Sequence, residues 1–141
     1  MAHRRHAAAL LAAEVALRDL LLIGSGGFLG SIARYLLSTA VGAGTVSRTA
    51  LPTGTLAVNV LGCFAIGALA AYGARTSPWT ESGRFFLFTG VLGGFTTFSA
   101  FGFETFAMAR DGRWGLAAAN VGLQLACGLL AVAAGYRVVA A

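Results

Sequence analysis

Few side chains in this sequence could do chemistry, and those that could interrupt long runs of alanine, leucine, valine, glycine and phenylalanine. They are Arg34, Asn59, Thr96, Thr97, Ser99, Glu104, Thr105, Asn120 and Gln124. Amides and hydroxyls of this kind are hydrogen-bond donors that can replace the water around an ion. The groups needed for covalent or metal chemistry are not placed for it. All ten cations are arginine, so there is no phosphate-loop lysine and no Schiff-base lysine. His3 and His6 sit in the N-terminal tail, and Cys63 and Cys127 stand singly in apolar runs, where a thiol packs as a small hydrophobe.

Each polar residue also has a plainer reading. Arg34 suits a snorkelling or helix-capping arginine. Asn59, Asn120 and Gln124 suit hydrogen-bond clamps between helices. Asn120 and Gln124 are spaced i, i+4 and so share one helix face, which fits either a polar track or a packing seam.

The stretch Gly90-Val-Leu-Gly-Gly-Phe-Thr-Thr-Phe-Ser-Ala-Phe-Gly-Phe-Glu104 is the most informative. Gly93-Gly94 followed by Thr96-Thr97 is poor helix-forming sequence. A break there, at bilayer depth, needs protein or a wet cavity to satisfy its backbone, and transporters use such breaks to hold ions. Phe98 and Phe101, three apart, share a face just beyond it. Aromatic rings carry a positive edge, so edges turned inward would favour a small anion. The surrounding region holds eight of the ten phenylalanines, and Phe85, Phe86 and Phe88 are expected simply to face lipid.

The elements that must position these groups follow from composition. Of 141 residues, 57% are hydrophobic and only 11% charged, with 20 glycines and a mean hydropathy of +0.79. A soluble domain carries about 25% charged residues, so this is an integral membrane protein. The length fits four spans of about 20 residues, expected at Leu20–Val41, Gly54–Ala74, Arg84–Ala109 and Trp114–Tyr136. Pro52 and Pro78 fall in the connections, and Trp79, Trp114 and Tyr136 at span ends. Residues 1–19 read as an amphipathic lead-in helix on the membrane surface, or alternatively as a signal sequence, ahead of a four-helix domain over 20–141. Gly26 with Gly30, and Gly90 with Gly94, are small-xxx-small pairs that allow close helix contact.

The net charge of +5 reads as topology rather than nucleic-acid binding, because the arginines are scattered singly. Arg4, Arg5, Arg18, Arg75, Arg84 and Arg137 fall on one side, against Arg48, Arg110 and Arg113, or four with Arg34. The bias puts both termini in the cytoplasm but is small enough to permit both orientations. A pore is hard to fit inside one bundle of this size, so two chains are expected to associate.

Three stretches together resemble the Fluc fluoride-channel family, also called CrcB proteins: GGFLGSIARY (Gly26 to Tyr35), LPTGTLAVNVLGCFAIG (Leu51 to Gly67) and GVLGGFTTFSAFGFE (Gly90 to Glu104). The resemblance covers about Leu20 to Tyr136. It implies a passive fluoride channel of the inner (plasma) membrane, built as a dimer of oppositely oriented chains with two pores. It further implies that Asn59 offers its amide to the anion, that Phe98 and Phe101 line the pores with ring edges, and that Thr97, Ser99 and Glu104 flank the path. Carbonyls of Gly93 and Thr96 would hold a structural Na+ at the dimer centre. Ala100 stands where the family usually has threonine, and Asn120 and Gln124 where relatives often carry a tyrosine and serine track. The partner is either a second copy or a paralogous chain. Two other classes compete. A small proton-coupled multidrug exporter needs a carboxylate in the first span, which has none between Leu20 and Val41. A non-transporting scaffold would not require polar residues along a broken helix.

Overall fold

The computed structural model describes residues 2–45, 51–77 and 79–141, with side chains for 17–43, 51–77 and 79–141. Arg48 and Pro78, and the side chains of His3, Arg4, Arg5, His6 and Glu14, lie outside them. The described chain is helical: α1 (Ala2–Thr45), α2 (Thr53–Thr76), α3 (Glu81–Arg84), a π-helical stretch (Phe85–Leu92), α4 (Gly93–Phe95), α5 (Phe98–Arg110) and α6 (Trp114–Ala140). Four stretches are long and apolar enough to cross a membrane: Leu17–Ala43, Thr53–Thr76, Glu81–Arg110 and Trp114–Ala140. These match the expected spans to within a few residues, the last running four residues further at its C-terminal end. The lead-in, expected to end at Asp19, is helical but has no boundary there; it runs unbroken into the first span. Nothing at Arg18-Asp19 stops a helix. The two side chains pair with each other at 3.3 Å.

The helix ends are set by local chemistry. Pro52 precedes α2, where a missing N–H costs nothing, and its carbonyl accepts from Leu56 N at 3.1 Å. Ser77 closes α2 in the left-handed region. Arg75, in the last turn of α2, donates to the Val139 carbonyl at 2.6 Å and so ties the C-terminal ends of α2 and α6 together. The turn between α5 and α6 takes its glycine, Gly112, at a φ of 75°. Trp79, at the expected place between the second and third spans, packs against Gly73, edge-on to Tyr72 and Phe88 with ring centroids at 5.8 and 5.7 Å.

The two small-residue pairs meet each other. A Cβ on Gly90 would lie 2.9 Å from Gly26 Cα, and one on Gly94 would lie 2.6 Å from the Gly27 carbonyl oxygen. α1 and the first half of the third span therefore touch backbone to backbone. α2 and α6 approach in the same way, with Gly67 against Val132 and Gly135 against Phe64. Buried apolar side chains are few and mostly small, such as Val58, Ala71 and Ala131. Most large apolar side chains, Phe28, Phe103 and Leu129 among them, face outward, as a bilayer solvent permits.

Candidate anion path

The third span breaks where the sequence placed it. Gly93 keeps helical dihedrals, and the chain becomes extended at Thr96 (φ −81°, ψ 157°) and Thr97 (φ −148°, ψ 111°) before α5 starts at Phe98. The π-helical turns ahead of the break had no sequence signal; π geometry marks functional distortions in helices. Thr97 caps α5, its Oγ1 accepting from Ala100 N at 3.2 Å and lying 3.2 Å from Ser99 Oγ.

Asn59 on α2 spans the break from the side. Its Oδ1 accepts from Thr97 N at 2.9 Å, and its Nδ2 donates to the Thr97 carbonyl and to Gln124 Oε1, both at 3.1 Å. One side chain thus bonds both backbone polar groups of a single residue at the break. Three positions further along α2, Gly62 leaves the space that Thr96 Cγ2 fills. Asn59 and Gly62 lie on one helix face, so a single face of α2 receives the whole break.

The break also frees carbonyls of the preceding turn, those of Gly93 and Thr96 among them. In an unbroken helix the N–H of Thr97 would close on Gly93, and that of Ala100 on Thr96. Here those N–H groups go instead to Asn59 Oδ1 and Thr97 Oγ1. Backbone carbonyls of a broken helix are the kind of oxygen ligand that a hard monovalent cation takes.

Beside the break lies a cavity of about 1040 Å³, walled among others by Ser31, Arg34, Thr55, Thr97, Glu104 and Arg113. Thr55 Oγ1 donates to Glu104 Oε1 at 2.6 Å across the α2–α5 seam. Glu104 Oε2 is buried without a hydrogen bond, and so is Gln124 Nε2. Among the described residues the guanidiniums of Arg34 and Arg113 make no ion pair, and both face the cavity. Phe98 is 81% exposed while Phe101 is half-buried. Their rings meet edge to face at 5.3 Å and 61°.

Of the sequence candidates, Asn59, Thr97, Ser99 and Gln124 form one connected group, and Glu104 joins the cavity wall. Asn120 stands apart. It is 2% exposed and donates to Thr105 Oγ1 at 2.9 Å, which in turn donates to the Phe101 carbonyl at 2.7 Å. It acts here as a clamp between α6 and α5. Thr55 was missed by sequence reasoning, although its i−4 spacing from Asn59 put it on the same face of α2.

Residues 21–136 match the family model described as CrcB-like protein, Camphor Resistance (CrcB). The chain is 40% identical over 125 residues to a protein of Methylobacillus flagellatus named fluoride-specific ion channel FluC, covering 86% of this chain and 94% of that one. Proteins of the same name from Opitutus terrae and Solibacter usitatus are 47% and 48% identical, over 82% and 72% of this chain and 88% and 81% of theirs. With four spans, a broken third helix and matches of this length, the chain belongs to the CrcB-like family.

Proposed function

We propose that the protein is a passive, fluoride-selective channel of the plasma (inner) membrane, not an enzyme, working as a dimer of oppositely oriented chains. The observation that carries this reading is the pairing of close relatives named as fluoride channels with a clamped break in the third span.

The physical logic starts from the ion. Fluoride is small and strongly hydrated, so a selective path must supply fixed donors in place of water. The cavity beside Arg34 and Arg113 collects anions by its field. From its wall, Thr97, Asn59 and Gln124 lead inward through consecutive hydrogen bonds. Phe98 and Phe101 stand at the same break and offer ring edges, which attract an anion without the fixed charge that would trap it. With the cell interior negative, outward flow of fluoride needs no ATP. Thr55, Glu104 and Ser99 keep the flanks polar.

A second copy completes the site. Phe98 is too exposed to line a closed path within one chain, and the near-even arginine split lets a copy, or a paralogue of opposite bias, insert the other way up. Opposed orientations bring two breaks together at mid-membrane. There the carbonyls of Gly93 and Thr96 would hold Na+, which supplies positive charge to offset their dipoles. The multidrug-exporter alternative lacks a carboxylate in the middle of its first span, whose one acid, Asp19, lies at the end and pairs with Arg18. Expression in a bacterium stripped of its own fluoride export tests the reading: growth on fluoride medium is restored by this chain, and unrestored growth with the protein in the membrane would count against it.

A further inference from the structure

The arginines divide between the two membrane faces, and the fold settles one position that the sequence leaves open. Arg34 lies inside the first span, Leu17–Ala43. It shares the wall of the large cavity with Leu51, Pro52 and Thr53, where α2 begins, and with Arg113, just ahead of α6. Arg34 therefore belongs to the face at which α1 ends and α2 starts. With Arg48, Arg110 and Arg113, that face holds four arginines. The opposite face, where α1 enters the membrane, holds Arg18, Arg75, Arg84 and Arg137, which is also four. Pairing does not break the tie. Each face has one arginine beside an aspartate, Arg18 with Asp19 at 3.3 Å and Arg110 with Asp111 at 3.1 Å. Orientation follows the count of arginine and lysine near span ends, and the chain has no lysine. The four-span domain by itself thus has no preferred way up.

Of the ten arginines, Arg4 and Arg5 remain. Charges act on orientation when they lie within about 15–20 residues of a span end, whereas those of long separate domains do not. Both arginines fall within that distance of Leu17, the first residue of the first span. They also belong to no separate unit, because α1 runs without a break from Ala2 to Thr45. The lead-in is a continuation of the first span's own helix, so its charge counts in full.

We infer that the lead-in is an orientation signal: Arg4 and Arg5, and no residue of the channel domain, tip the chain toward having both termini in the cytoplasm. Copies inserted the other way up are then the scarcer ones, and their number limits how many oppositely oriented pairs form. That consequence rests on the antiparallel channel reading above. The bias itself rests only on the arginine count and the unbroken helix.

The test reads orientation from Ala141→Cys in a background of Cys63→Ala and Cys127→Ala, as the fraction labelled by an impermeant maleimide from outside intact cells. With the lead-in unchanged, that fraction should be well below half. Arg4→Ala with Arg5→Ala should raise it to about one half, whereas Arg4→Lys with Arg5→Lys should leave it where it was. The tie can also be restored from the other face with the lead-in intact. Asp111→Arg with Gly115→Arg adds two cations there, at exposed positions where a Cβ on Gly115 meets nothing within 4 Å. This pair should also bring the fraction to about one half, which separates a charge count from the loss of a targeting segment. An unchanged fraction in the double alanine variant would overturn the inference, and so would a mature protein whose mass shows that residues 4 and 5 have been removed. Labelling that shifts as expected in a protein that passes no fluoride would leave the orientation signal standing and remove the channel reading, so the two failures are separable.

Discussion

Asn59 holds Thr97 by both ends of its backbone: the amide oxygen takes the Thr97 N–H at 2.9 Å and the amide nitrogen gives to the Thr97 carbonyl at 3.1 Å. A helix that breaks in hydrocarbon needs partners for its freed backbone groups, and at Thr97 one side chain from a neighbouring helix supplies both. The break is thereby a fixed piece of structure rather than a loose one.

Replacing Asn59 by aspartate should be severe although the shape is kept. The carboxylate would set oxygen against the Thr97 carbonyl and against Gln124 Oε1. Loss of buried hydrogen bonds of this kind costs about 1–3 kcal/mol. Asn59→Asp should melt at lower temperature in detergent and pass fluoride at least about tenfold more slowly. A variant with unchanged melting and flux would show that the clamp carries nothing.

The contact between Gly62 and Thr96 predicts a rescue. A methyl on Gly62 collides with Thr96 Cγ2, so Gly62→Ala should displace the break and slow efflux. Thr96→Ser removes that Cγ2 and keeps the hydroxyl that bonds the Leu92 carbonyl at 3.0 Å. The double variant should recover part of the loss, with a coupling of about 0.5–3 kcal/mol in thermal unfolding. Additive effects would contradict a direct contact.

Phe98→Ile and Phe101→Ile keep apolar bulk but lose the positive ring edge. Each should slow fluoride efflux by about tenfold or more while the protein still elutes as a dimer from a sizing column. A well-folded Phe98→Ile protein with wild-type flux would return the pair to ordinary packing.

Much of this was legible in sequence because it is local. The Gly93-Gly94 and Thr96-Thr97 run marks the break through propensity alone, and the small-residue pairs announce a close helix contact. The mates of those contacts are a matter of tertiary packing. That Asn59 meets Thr97 and Gln124 rather than an open pore depends on three helices arriving together, and no spacing within α2 encodes it. The same holds for Asn120, whose i, i+4 relation to Gln124 suggests one shared track. The structure instead turns it toward Thr105. The Thr55–Glu104 bond joins residues far apart in sequence, and the unbroken passage of the lead-in into the first span follows from the absence of any helix stop at Arg18-Asp19.

Orientation is tested by single cysteines at the two ends. In a background of Cys63→Ala and Cys127→Ala, Ala2→Cys and Ala141→Cys should each be labelled by an impermeant maleimide partly from outside intact cells and partly only after lysis. Labelling from one side alone, with no second chain co-purifying, would contradict the antiparallel dimer.

The most direct measurement is anion efflux from liposomes holding only the purified protein, driven by a potassium gradient and valinomycin, with no nucleotide and no pH gradient. Fluoride should leave rapidly and chloride hardly at all, since only fluoride gains enough from fixed amide, hydroxyl and ring-edge donors to give up its water. Equal rates for the two ions, or fluoride movement that requires a proton gradient, would contradict a passive fluoride-selective channel.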